Sequence, residues 1–551
     1  MAFNDLALEW WPFSAGATAI IGIITLYFIT YQLSSRKIDP REPPVLAPAI
    51  PIVGHILGMA LLGGRYIKNL GIRHRNLPIF TLPVPGSRIY IVADPSLAAA
   101  VQRASKVLSF TPIVPEVTER VLGLDAATME ITRKNLDPGP GEERGFLADI
   151  QDMVYQWLGP GDYLSELSLD AATEMRDEIA AAYASSITTT TTTTTESNPT
   201  DLLSWVRHLV TISTAKYLYG PQNPIAADPS LETAFWDFDH GLGSLLMNVF
   251  PSVTAKKAYQ GRESLSAALH TYLAQNLHKT GSKIVQKRVD IALEHGWALP
   301  AVAREELSFL FAGIVNATTS TFWILLHLYA DPALLATVRK EIEAVFERPE
   351  GAKGKGKGEG EGRVKLRIGD LRDNCPVLVA VYRECLRLGS DTYSTRLVKE
   401  DYLLANQYFL KKNAVVQIAG GVIHADSRIW GEDVEQFNPK RFLDRQEGGA
   451  GAGGKAKQNN AFHPAAFRAF GGGKTLCPGR HFAMNEILAF VALAVLQFDM
   501  KPARGDKIEV PRKNDGVLPV HILEPIRPVE VLISKRDDDI ALDVRNVEFV
   551  I

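Results

Sequence analysis

Cys477 is the residue around which chemistry could be built. It lies in Arg468-Ala-Phe-Gly-Gly-Gly-Lys-Thr-Leu-Cys-Pro-Gly-Arg-His-Phe-Ala-Met484, a glycine-rich turn leading into an apolar helical pattern. Gly471, Gly472, Gly473 and Gly479 let the backbone come close to something flat and large. Pro478 suits the first position of the helix that follows, where its missing N–H costs nothing. That helix would aim its positive end at the sulfur and favour a thiolate. A thiolate held this way is a metal ligand or a nucleophile. No second Cys or His stands at zinc spacing, which argues against zinc. The plainer alternative is a buried structural cysteine in a glycine turn.

The pattern Phe470-x-x-Gly473-x-x-x-Cys477-x-Gly479 resembles the haem-binding loop of the cytochrome P450 superfamily, the haem-thiolate monooxygenases. The resemblance implies haem b (heme, iron protoporphyrin IX) as cofactor, with Cys477 as the axial iron ligand. Phe470, Gly473 and Gly479 are then cofactor-binding loop residues. In this family thiolate ligation pushes electron density toward O–O cleavage.

A second stretch carries the same resemblance. Ala303 to Tyr329 is a long helical pattern ended by Asp331-Pro332. Its middle, Phe311-Ala-Gly-Ile-Val-Asn-Ala-Thr-Thr-Ser-Thr-Phe-Trp323, resembles the family helix that crosses the distal face of the haem. In that register Val315 replaces the usual acid and Asn316 the usual threonine. The bile-acid sterol hydroxylases and prostacyclin synthase are similar in carrying Asn there. Oxygen activation needs a polar group and water that deliver protons, so Asn316 and Thr318 are the expected catalytic residues. Thr319 is weighed evenly between holding a water and bonding back to its own helix.

Glu384 and Arg387 stand at i,i+3 on a helical pattern from Pro376 to Leu388. Phe437-Asn-Pro439-Lys-Arg441-Phe442 follows. The order is that of the family's buried ionic triad, and Glu384, Arg387 and Arg441 are expected to be structural. Between them Asp391-Thr-Tyr-Ser-Thr-Arg396 resembles a stretch beside the haem. Arg396 is the expected haem-propionate partner, a guanidinium matching a carboxylate fork; the plainer alternative is a solvated strand-edge arginine. Thr475 stands where most relatives carry a cationic propionate anchor. No Trp-x-x-x-Arg element is found between 105 and 150, so no propionate partner is expected from that region.

The elements that must position these residues belong to a chain of 551 residues with a formal net charge of −3. It is 46% hydrophobic and 22% charged, which excludes a basic nucleic-acid binder. Three cysteines exclude a disulfide framework and point to a reducing compartment. From Trp10 to Ser35 there is no charged residue, and Phe13 to Leu33 is long enough to cross a bilayer as a helix, about 32 Å. Asp5 and Glu9 before it are not a signal-peptide n-region. Arg36, Lys37 and Arg41 after it place the remaining chain on the cytoplasmic side. Residues 1–35 are thus expected to be a single transmembrane anchor, 36–55 a proline-rich hinge, and 56–551 the catalytic domain. Low-complexity insertions near 185–198, 349–363 and 446–458 read as surface loops.

Residues 79 to 92 read as two strands about a Pro-Gly turn, with a helix from Pro95 to Arg103. Residues 232 to 280 read as two helical patterns, by position the family's roof over the substrate, with an apolar tip near Phe250. Gly516-Val-Leu-Pro519 resembles the turn entering the substrate pocket. The expected fold is mainly α with a minor β-sheet region. The expected activity is insertion of one oxygen atom into a lipophilic terpenoid, sterol or polyketide-type substrate, in secondary-metabolite biosynthesis. Electrons would come from NADPH through a separate reductase, at the endoplasmic-reticulum membrane. The homopolymeric insertions suggest a filamentous fungus. The alternative activity is that of a haem-thiolate isomerase or dehydratase acting on a peroxide without a reductase.

Overall fold

The computed structural model describes residues 38–48, 50, 53–188, 198–347, 364–443, 462–536 and 543–551, with Gly22 and Thr25 of the N-terminal stretch. The expected membrane span and the bulk of the three low-complexity insertions lie outside the described residues.

Val84-Pro-Gly-Ser87 makes the sharp reversal read from the sequence, with Gly86 at φ 72, a backbone region that suits glycine. It joins β1 (Ile79–Val84) to β2 (Ser87–Val92) as an antiparallel pair. Helix α2 (Pro95–Arg103) follows, its first N–H groups capped by Asp94. The sheet is completed by β3 (Leu108–Ser109), β4 (Tyr393–Val398) and β5 (Val415–Ala419), in the order β1-β2-β5-β4-β3. Only β5 runs parallel to its neighbour β2; the other pairs are antiparallel. Three smaller sheets are present among the described residues.

Helices form the rest. Those that bear on the site are α1 (Gly54–Leu62), α3 (Phe146–Trp157), α4 (Asp162–Thr188), α5 (Leu202–Tyr219), α6 (Pro229–His240), α7 (Lys256–Ala274), α8 (Leu299–Ala330), α9 (Pro376–Gly389) and α10 (Arg480–Gln497). Helix α8 is apolar on all sides because it runs through the centre of the molecule. It is the one described helix long and apolar enough to cross a membrane, and most of it is buried in the fold. It begins at Leu299, four residues before the expected start, since Pro300 fits a first turn. Helix α10 is buried from Glu486 to Gln497. Each large apolar side chain buried this way contributes about 1.5–3 kcal/mol.

The two helical patterns expected over 232–280 are α6 and α7; between them Asn248 and Phe250 adopt left-handed conformations and delimit two short helices (Leu242–Met247 and Pro251–Thr254). One expectation is revised. Pro478 is not the first helical residue; it lies in a turn, and α10 opens at Arg480 after Gly479. The first helical bond runs from the Ala483 N–H to the Gly479 carbonyl at 2.7 Å.

Candidate active site

The Cys477 loop is wound by two glycines in the left-handed region, Gly471 (φ 73) and Gly473 (φ 62). The Cys477 N–H closes it on the Phe470 carbonyl at 2.9 Å. Tyr155, on α3, donates to the Leu476 carbonyl at 2.5 Å and fastens the loop from outside. The thiol is free and partly exposed. Burial pushes the Cys477 thiol up; the Gly479 N–H and Arg480 oppose it without overcoming it. A cation beside the sulfur would favour the thiolate further. An alanine at 479 would meet Cys477 Sγ at 4.0 Å and Leu158 Cδ1 at 3.7 Å, both ordinary contacts. The protein's own packing does not demand that glycine.

Two buried arginines stand near this loop. Arg396, on β4, and Arg468 are each 3% exposed. Arg396 donates to the Thr475 hydroxyl at 2.5 Å and to the Thr395 carbonyl at 2.7 Å. Arg468 donates to Ser394 Oγ at 3.0 Å, and its Nε has no partner. The Gln102 amide, with its oxygen turned toward Arg468, accepts from Nη1. No carboxylate pairs with either guanidinium among the described residues. Burial lowers the Arg396 pKa, and burial together with Arg396 pushes Arg468 down to about 10. Buried charges are normally paired. A flat, metal-bearing group with carboxylate arms fits this cradle: a sulfur for the metal, Gly479 beside it with no side chain to cover it, and two unbalanced guanidiniums for the arms.

Thr475, the position that lacks a cation, thus holds a cation instead. Arg468 was not expected from the sequence to matter, nor were Gln102 and Tyr155. The one available signal was an arginine embedded between Phe467 and Ala469-Phe470, an apolar setting for a charge.

In the middle of α8, Ala312 and Asn316 are exposed among residues that are buried or half-buried. Asn316 Oδ1 accepts from the Ile522 N–H at 3.0 Å. Its Nδ2 makes no hydrogen bond among the described residues. Thr319 bonds back to the Val315 carbonyl at 3.2 Å. Thr318, expected beside Asn316, is fully buried and its hydroxyl has no partner. Two residues along a helix turn the chain by about 200°, so the structure does not bring Thr318 and Asn316 together.

A buried ion network supports the cradle from behind. Arg387 grips Glu384 with two bonds of 2.8 Å, and Arg441 reaches the same carboxylate at 3.0 Å. Arg387 also donates to the His424 carbonyl at 2.8 Å. The His424 ring links the Ser390 carbonyl at Nδ1 (2.9 Å) to the Arg468 N–H at Nε2 (2.8 Å). Burial pushes His424 down to about 3, so it is neutral, with its proton on Nδ1. Breaking such a buried set costs about 3–5 kcal/mol.

Comparison with known proteins adds four findings. The family model described as Cytochrome P450 matches residues 177–528. The chain is 30% identical over 527 residues to cytochrome P450 monooxygenase nodJ of Hypoxylon pulicicidum, covering 94% of this chain and 95% of that one. It is 24% identical over 502 residues to cytochrome P450 7B1 of Mus musculus, covering 89% and 91%. Among solved structures, the cytochrome P450DA heme domain superposes with a TM-score of 0.64 at 14% identity, covering 91% of this chain and 99% of that one.

Proposed function

We infer the reaction from one premise: this chain belongs to the cytochrome P450 family. It is a monooxygenase that uses haem b and electrons from NADPH delivered by a redox partner. The balance is substrate C–H, O2, NADPH and a proton giving alcohol, water and NADP+. The haem, when bound, supplies the activation of oxygen and the insertion of one oxygen atom.

What the chain's own residues contribute is our proposal. Cys477 Sγ would ligate the iron, and Phe470, Gly473 and Gly479 would form the loop that holds the cofactor. Arg396 and Arg468 would take its two carboxylates. The unbalanced buried guanidiniums carry this reading. Asn316 would hold a water through Nδ2, and that water, not the amide, would deliver the proton, with the Asn316 Oδ1 fixed by the Ile522 N–H. Val315 offers no acid to recharge that water, and Thr318 is turned away. The absent acid favours a second reading, a haem-thiolate isomerase or dehydratase that needs no reductase.

The substrate is a lipophilic terpenoid, sterol or polyketide-type molecule of secondary metabolism. Residues 1–35 anchor the chain in the endoplasmic-reticulum membrane, residues 36–55 are the hinge, and residues 56–551 face the cytosol. Apolar side chains on two segments support a membrane-facing side: Leu61 of α1 (77% exposed), and Phe250 (79%) and Val253 (77%) between α6 and α7. Deleting residues 1–35 is expected to shift the protein from the membrane pellet to the supernatant while haem is retained, with residual binding lost in Phe250→Ser. Unchanged pelleting, or loss of haem, overturns the anchor assignment.

Asn316→Ala tests the proton route. Proton-relay groups typically contribute about 10²–10⁴-fold, so product formation should fall while NADPH consumption continues and hydrogen peroxide is released. Product from a hydroperoxide without reductase, and none from NADPH with it, would select the isomerase reading.

A further inference from the structure

Residues 520–524 form an irregular segment between the roof and the helix under it, held at both sides. Ile522 N–H donates to Asn316 Oδ1 on α8 at 3.0 Å. Leu523 N–H donates to the Gly389 carbonyl at 3.1 Å, and Trp323 Nε1 donates to the Leu523 carbonyl at 2.9 Å. On the roof side His521 Nε2 lies 3.2 Å from Asp239 Oδ1, at the end of α6. The Asp239 side chain is fully buried and neither oxygen has an aligned hydrogen bond among the described residues, so the His521 contact is an ion pair whenever the ring is protonated. The other ring nitrogen, Nδ1, donates to the Ile522 carbonyl at 2.8 Å. The ring also stands edge-on to Phe311 of α8, with centroids 6.4 Å apart, and Phe311 in turn to Phe238 of α6 at 6.2 Å.

One histidine thus touches the roof with one nitrogen and the Ile522 carbonyl with the other, and the N–H of the same residue, in the preceding peptide, holds Asn316. We propose that His521 is a positioning residue of this site, a clasp through Asp239 and the two peptides flanking Ile522 that makes closure of the roof and orientation of the Asn316 amide a single event. The Asn316 half rests on the proton role given above; the roof half does not.

Every charged group packed around the ring bears on its state. Helix α6 contributes Asp239 and His240, α5 contributes Arg207, and the segment itself Glu524, which pairs with Arg207 and lies 3.4 Å from His240. Helix α8 contributes only Phe311 and Asn316, both uncharged. Burial pushes Glu524 up, but His240 and Arg207 outweigh it and hold it near 2. Burial likewise works against a charged His521, and the Asp239 contact outweighs it, so the His521 pKa lies above its ordinary value. A raised histidine pKa gives a contribution that is complete below about 6.5 and lost as pH rises through the folded value. The clasp is closed at mildly acidic pH and released on the alkaline side.

The test is amide hydrogen exchange of residues 229–247 in the haem-loaded full chain, corrected for intrinsic rates, from pH 5.5 to 9. A charged contact of this kind should slow local opening by about 10–100-fold. Wild type is expected to lose that protection on raising the pH. Asp239→Asn should lose it at lower pH, and His521→Gln should lack it at every pH. Wild-type protection independent of pH, or protection unchanged in His521→Gln, overturns the clasp. The ratio of product to peroxide in the same proteins reads the second half. If the clasp sets Asn316, coupling follows exchange across the three proteins. If exchange changes and coupling does not, the link to Asn316 is refuted while the roof contact stands, and Asn316→Ala then reports separately on the proton role.

Discussion

Replacing Cys477 with alanine should abolish the red-shifted band that a thiolate-ligated haem gives on reduction with carbon monoxide, while Cys375→Ala and Cys385→Ala retain it. The three cysteines differ in surroundings. Cys375 and Cys385 are fully buried in the main core. Burial, helped by Glu341 and Asp370, pushes the Cys375 thiol up to about 12, and burial also drives Cys385 upward. Neither can become a thiolate at neutral pH, and both are packing residues. Cys477 alone is partly exposed, with an N–H and a guanidinium working to lower its pKa. The loss should be complete rather than graded, because the other two thiols are buried in the core with their pKa raised. A normal band in Cys477→Ala would refute the ligand assignment.

Arg468→Leu should move two measured quantities in opposite directions. Removing a buried charge that has no carboxylate partner relieves the cofactor-free protein, so its melting temperature should rise. The haem-loaded protein loses a charge-assisted bond worth about 1.5–3 kcal/mol, so haem affinity should fall by about 10–100-fold. Haem with both carboxylates esterified supplies the control. Wild type should discriminate strongly against the ester, and Arg468→Leu much less. Arg396→Leu should behave likewise, though with a smaller gain for the cofactor-free protein, because its guanidinium already has two good acceptors. A cofactor-free Arg468→Leu that melts lower than wild type, or full discrimination against the ester, would show that Arg468 serves the fold rather than the haem.

What could be read from the sequence was local or carried by motif. The β1–β2 hairpin, helix α2, the reach of α8 and the Glu384–Arg387–Arg441 set all depend on neighbours in sequence or on a known order of short patterns. Arg396 was found the same way, and its 3% exposure is unlike that of a solvated strand-edge arginine. Arg468 escaped because its burial comes from Gln102 and Ser394, 366 and 74 residues away. The tie between Asn316 and Ile522 spans 206 residues and has no local signature. Thr318 is different: helical arithmetic alone separates it from Asn316, and the hydroxyl outweighed the geometry. Between 105 and 150 the chain forms short pieces rather than one helix, with a π-turn at Glu119–Gly123, so no single period ran long enough to read.

The segment that closes the site is also the last of its parts to be made. Helix α8, the paired arginines and Cys477 all leave the ribosome before Ile522, and Ile522 trails Cys477 by about 45 residues, some 2–9 s at roughly 5–20 residues per second. For that interval the nascent chain carries its sulfur and both guanidiniums while the peptide that spans the gap between roof and floor does not yet exist. The contact of His521 with Asp239 can form only after every residue of the cradle has been made.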